Sequence, residues 1–173
     1  MKALVVYESM FGNTEIIARA IARGVGRRAD VTVADVRTLP YAAGMDLVVV
    51  GGPTHVMGMS RPTTRQDAER QGQGQTRPGG VDVGMREWLA RSTALSGTPA
   101  AAFDTKVGKP FAGSAARKAY RHLRRLGCRM VVPAENFRVT GTPGPLAAGE
   151  EERAERWGET IVTALRDRAP AGH

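Results

Sequence analysis

The chain has 173 residues, 42% apolar and 24% charged, which gives room for one domain with an ordinary core and excludes a disordered chain. No apolar run approaches the ~18 residues of a membrane span. The opening apolar stretch meets Glu8 too soon for a signal-peptide core, so a cytoplasmic protein is expected. Lys and Arg total 25 against 17 Asp and Glu, a net charge of +8 that favours acidic partners if the cations cluster.

Leu4-Val5-Val6-Tyr7 is a short apolar run ending in Glu8-Ser9 and reads as a buried strand. Ile16, Ile17, Ala20, Ile21 and Val25 then fall at helical spacing, with Gly24 and Gly26 expected to close that helix. Val31–Ala34 is a second strand, and Leu47–Val50 a third that ends in Gly51-Gly52-Pro53. A helical stretch near Arg61–Arg70 and another at Val83–Arg91 flank a polar, Gln/Gly-rich insertion around 70–80.

Pro99–Phe103 is a fourth, weaker strand. Ser114 is placed to cap a helix over Ala115–Leu126, and Arg129–Val132 forms a fifth strand. Glu150–Leu165 is a last helix, opening with three glutamates and closing near Arg166, as the helix dipole prefers. Strands alternating with helices imply βαβ units and a parallel sheet covered on both faces, over a single domain of residues 1–168 with a tail at 169–173.

Ligands of open α/β sheets sit beyond the carboxyl ends of the strands. The segment Glu8–Thr14 joins strand to helix with small polar residues, and its amides at a helix N-terminus suit an anion, with Ser9 and Thr14 adding hydroxyls. The same segment also reads as a plain turn capped by Asn13. Gly24-Val25-Gly26-Arg27-Arg28-Ala29 has dinucleotide-loop spacing but ends a helix instead of opening one, and Gly108-Lys109-Pro110 lacks the rest of a P-loop. Cys128, the single cysteine, excludes an intrachain disulfide, and His55, His122 and His173 have no metal-ligand spacing.

The N-terminal pattern Leu4, Tyr7, Ser9, Gly12, Thr14, Ala18 resembles the flavodoxin signature. The end of the chain resembles that family too. Leu126-Gly127-Cys128 precedes a strand interrupted near Pro133, which resumes at Phe137-Arg138-Val139 and ends in Thr140-Gly141-Thr142-Pro143. The resemblance implies an α/β, doubly wound, five-stranded parallel sheet ordered 2-1-3-4-5, with FMN held at its carboxyl edge. Ser9, Met10, Phe11, Gly12, Asn13 and Thr14 would wrap the phosphate. Pro53, Thr54, His55, Val56, Met57 and Gly58 would form the loop against the flavin ring, Gly58 being the candidate for a backbone group that reorients on reduction. Phe103, Asp104, Thr105 and Lys106 would supply the loop along the pyrimidine edge, and His55, Met57, Phe103 or Phe111 would cover the ring.

By the same resemblance the protein would shuttle single electrons between a reductase and an acceptor. The alternatives are an NAD(P)H-dependent FMN quinone reductase and a flavin-free interaction module. Typical flavodoxins are acidic, whereas here Arg117, Lys118, Arg121, Arg124 and Arg125 fall on one helix face with no acid among them. That stripe reads either as a solvated face or as a docking site for an acidic redox partner. Nucleic-acid binding is disfavoured because no aromatic residues interleave. Arg61, Lys106 and Lys109, in or beside the loops, would favour an anionic reduced flavin, ~1.4 kcal/mol corresponding to about 59 mV for one electron.

Overall fold

The computed structural model describes residues 1–54, 58–71, 82–108 and 113–167. β1 (Lys2–Tyr7) lies between β2 (Asp30–Asp35) and β3 (Leu47–Pro53), and β3 pairs in turn with β4 (Pro99–Val107). The far edge of β4 carries two short segments, β5 (Arg129–Met130) and β6 (Glu135–Val139). Every pairing is parallel, and the order β2-β1-β3-β4-β5 is the one the resemblance implies. The fifth place is split because Pro133 has no N–H to donate to the ladder.

Alternation along β1 sends Ala3, Val5 and Tyr7 to one face and Leu4 and Val6 to the other. The first face packs under α1 (Asn13–Gly26) and α5 (Glu150–Asp167), through Ile17, Ile21, Ile161 and Leu165. The second packs under α3 (Met85–Arg91) and α4 (Ala115–Arg125), through Met85, Leu89, Ala119 and Leu123. Each large aliphatic side chain buried in this way contributes about 1.5–3 kcal/mol before chain entropy is charged against it.

α1 closes at Gly26, as expected, and Gly24 within its last turn is where α5 crosses: a Cβ there would lie 2.0 Å from the Glu155 carbonyl oxygen. One expectation changes. β4 does not end at Phe103 but runs on to Val107, since β3 and β6 flank it with hydrogen-bonding partners on both edges. Phe103 therefore belongs to the sheet, not to a loop. Its ring is fully buried, edge-on to Phe137 at 6.2 Å and to Trp157 at 6.4 Å. The same ring passes over Gly51, where an added Cβ would sit 2.1 Å from Phe103 Cζ.

α2 (Pro62–Gln71) stands apart from both layers, beside the carboxyl ends of β1 and β3. No described helix is long and apolar enough to cross a membrane. The insertion's residues 72–80 and the tail at 169–173 lie outside the described residues.

Candidate functional site

A cleft of about 300 Å³ opens at the carboxyl edge of the sheet, within the size range of small-molecule sites. Its floor is the turn from β1 into α1. Gly12 takes the left-handed φ of +92° that lets the chain double back, and its N–H donates to Ser9 Oγ at 3.0 Å. Space beside Gly12 is open, with nothing within 4 Å of an added Cβ. Gly12 itself is the N-cap and so offers no side-chain cap bond to α1, an arrangement that suits an anion at the helix start. Asn13 does not cap the turn. Its amide donates instead to the Pro143 carbonyl oxygen at 2.6 Å, tying this loop to the segment after β6.

Thr14 Oγ1 and Thr105 Oγ1 are 2.7 Å apart and share a buried hydrogen bond that joins the loop to β4. Ser9, Met10, Phe11, Asn13 and Thr14 line the cleft, as do Pro53, Thr54, Thr105 and Lys106. Phe103 and Asp104 do not. Phe103 is in the core, where its ring cannot cover a ligand. Asp104, fully buried, accepts hydrogen bonds from Thr54 Oγ1 at 2.8 Å, Ser114 Oγ at 2.7 Å, Ala116 N at 3.0 Å and Asn136 Nδ2 at 2.8 Å. It is the tie beneath the cleft, holding the β3 loop, the start of α4 and β6 to one point. Gly58, with φ +152°, rests against Lys118 of α4 and is not part of the cleft lining. His55, Val56, Met57, Lys109 and Phe111 lie outside the described residues.

The lining residues that sequence reasoning missed come from α2, from the ends of β4 and β6, and from the segment after β6. Thr64, Asp67 and Ala68 form one wall of the cleft, opposite Val107, Val139 and Gly141. The helix stands there because of a buried polar knot. Arg65 is only 2% exposed, and donates to Ser60 Oγ at 2.8 Å and to Glu87 Oε2 at 3.1 Å. The Ser60 hydroxyl donates to Glu8, whose other oxygen accepts from Met85 N at 2.7 Å. Burial pushes the Glu8 carboxyl above its ordinary range, while the Met85 N–H, the Ser60 hydroxyl and Arg65 offset part of that rise. Glu8 immediately precedes the cleft loop, so the knot joins α2 to the same turn that would hold an anion. An arginine inside an otherwise polar helix gave no signal of this, because its partners come from three other segments.

The fit to a flavin mononucleotide is therefore direct at one end. An uncapped helix start, an open glycine turn and the hydroxyls of Ser9 and Thr14 suit a phosphate monoester. The apolar Met10, Phe11 and Pro53, together with the α2 wall, suit a flat ring system.

Comparison with known proteins bears on the fold and the family. No curated protein sequence matches the chain. Among solved structures, a flavodoxin from the domain Archaea is 21% identical, with 96% of this chain and 99% of that one covered at a TM-score of 0.66. Oxidised flavodoxin 1 from Bacillus cereus is 20% identical, covering 94% and 98% at 0.66. A WrbA-like flavodoxin protein from Agrobacterium tumefaciens is 16% identical, covering 97% and 99% at 0.61. At these identities the structures establish the fold, and a family model adds the rest. The flavodoxin model matches residues 5–157, most of the chain, and the protein belongs to the flavodoxin family.

Proposed function

We propose that the chain binds FMN in the cleft at the carboxyl edge of the sheet and carries single electrons between a reductase and an acceptor protein. The observation that carries this reading is the uncapped α1 N-terminus, facing a cleft lined from the ends of β1, β3 and β4. The first-turn amides and the Ser9 and Thr14 hydroxyls would hold the phosphate, and Met10, Phe11 and Pro53 would pack on the ring. When bound, FMN supplies the redox chemistry, and the protein supplies binding, orientation and electrostatics. Lys106, at the cleft wall, is the cation placed to favour a reduced, anionic ligand.

A second reading, an NAD(P)H-dependent quinone reductase, draws on α2. Thr64, Asp67 and Ala68 add a wall that would give a small acceptor a defined place to sit. The two readings separate by turnover: a carrier oxidises NADPH slowly without a partner reductase, whereas a reductase does so rapidly when a quinone is added.

The first test is an absorption spectrum of the purified protein, before and after FMN addition and desalting. Flavin bands that survive desalting support the cleft as an FMN site. A protein that stays colourless returns the flavin-free interaction module as the better reading.

A further inference from the structure

Four arginines on the α1 and α5 layer meet carboxylates. Arg19 pairs with Glu15 at 2.8 Å, Arg23 with Glu151 at 2.8 Å, Arg27 with Glu155 and Glu159 at 2.9 Å, and Arg153 with Glu135 at 2.7 Å. α4 is the opposite case. Its inner face is Ala115, Ala116, Ala119 and Leu123, its outer face is Arg117, Lys118, Arg121, Arg124 and Arg125, and it contains no acidic residue. None of those five cations meets a carboxylate among the described residues. Arg117 and Arg121, and Arg121 and Arg125, stand one helical turn apart, a spacing at which like charges repel. No carboxylate among the described residues offsets that repulsion.

The cationic face is continuous with the cleft surroundings. The Lys118 side chain folds back over Gly58, where an added Cβ would lie 2.5 Å from its Cδ and 2.6 Å from its Nζ. Arg86 of α3 flanks the same loop, donating to the Met59 carbonyl oxygen at 3.3 Å. Lys106, which lines the cleft, is in register with the exposed Arg138 on β6. The first turn of α4, with Arg117 and Lys118, lies toward the cleft edge of the sheet, while Arg121, Arg124 and Arg125 continue toward the amino end of β4, so a protein seated along α4 would reach the cleft side with one end.

We propose that the α4 face is the docking surface for a redox protein presenting a patch of Asp and Glu side chains. The proposal rests on the electron-carrier reading and adds the chemistry of the partner. Protein is favoured over nucleic acid because no Phe or Trp lies on α4 for a base to stack on and Tyr120 is packed against the core. Opposed patches of this kind act mainly on association, so binding should weaken as salt rises.

The test uses an acidic [2Fe–2S] ferredoxin as probe, with two triple variants of equal charge change. R117E/R121E/R125E reverses the α4 face, and R28E/R156E/R166E reverses three exposed arginines, one in the turn after α1 and two on α5. Calorimetry at low and at physiological salt, with and without FMN, reads binding of the oxidised probe. Stopped flow then reads transfer of one electron from the reduced iron–sulfur centre to the flavin of FMN-loaded protein. The expected result is binding and transfer weakened at least about tenfold by the α4 variant and changed less than about threefold by the other, with wild-type binding falling as salt rises. Equal loss in both variants, or binding indifferent to salt, would overturn the proposal, since net charge or another face would then be responsible. A 20-base-pair DNA duplex that outcompetes the ferredoxin, and depends on the same arginines, would overturn it in favour of nucleic acid. A protein that takes up no FMN yet binds the probe through α4 would sink the carrier reading while leaving the surface assignment standing.

Discussion

Gly24 of α1 and Gly158 of α5 meet where the two helices cross, a Cβ added at Gly158 falling 3.2 Å from Gly24 Cα and 2.3 Å from the Ile21 carbonyl oxygen. The helices thus touch backbone to backbone, and a methyl group has no space to enter. Gly158→Ala is expected to destabilise the protein by about 2–3 kcal/mol, because overpacking must push α5 off the sheet. Urea unfolding checks this, and a change under about 0.5 kcal/mol would mean that the crossing gives way freely.

The same pair shows where sequence reading succeeds and where it stops. Apolar periodicity located β1, β2, β3, α1 and α5 because each element repeats within its own few residues. Gly24 and Gly26 were read together as the helix end, which Gly26 is; the role of Gly24 in the crossing was not legible, since the residue that makes it necessary lies more than 130 positions away on α5. Phe103 was read as the last residue of a strand and the first of a loop because the partners that carry β4 past it, at the end of β3 and along β6, are distant in the chain. The turn from β1 into α1, by contrast, was legible as a unit, being one contiguous stretch between a strand and a helix. The α2 wall was not, because a buried arginine is positioned by Ser60, Glu8 and Glu87, and no local pattern encodes that meeting.

Glu8 gives a pH prediction. Burial holds its carboxyl above the ordinary value of 4.5, so the folded state binds this proton more tightly than the unfolded chain does. Its contribution to stability is fully present below pH 4.5 and is lost as pH rises through the folded value. Glu150, held low mainly by its hydrogen bond from Arg153, acts oppositely: its contribution is present above its ordinary value and lost as pH falls through its folded value. Glu8→Gln should therefore remove the decline in stability on the limb above pH 4.5 and leave the acid limb in place. Chemical unfolding across that range checks it, and an unchanged slope in the variant would assign the decline to other groups.

Asp104 is expected to matter more to stability than its cap partner does. Removing its carboxylate by Asp104→Ala leaves the Thr54 and Ser114 hydroxyls, the Ala116 N–H and the Asn136 amide without their acceptor. Buried donors stranded in this way cost about 1–3 kcal/mol each, so a loss of at least about 3 kcal/mol is expected. Ser114→Ala removes one of those donors together with the cap to Arg117 N, and should cost about 1 kcal/mol. Equal losses from the two substitutions would show that the cap, not the carboxylate, organises the junction.

Thr14 tests the phosphate end of the proposed FMN site. Its hydroxyl is buried, faces the cleft loop and is held by Thr105 Oγ1 at 2.7 Å, an arrangement that fixes its direction before any ligand arrives. Thr14→Val keeps the shape but deletes the hydroxyl. The loss of one hydrogen bond to a charged group, about 1.5 kcal/mol, should weaken FMN binding about tenfold. Thr14→Ser restores the hydroxyl and should recover most of the affinity, which separates a ligand contact from a packing effect. Titration followed by quenching of flavin fluorescence reads the dissociation constant directly. If Thr14→Val binds FMN as tightly as the wild type, the phosphate does not sit at the α1 N-terminus, and the carrier reading loses the observation on which it stands.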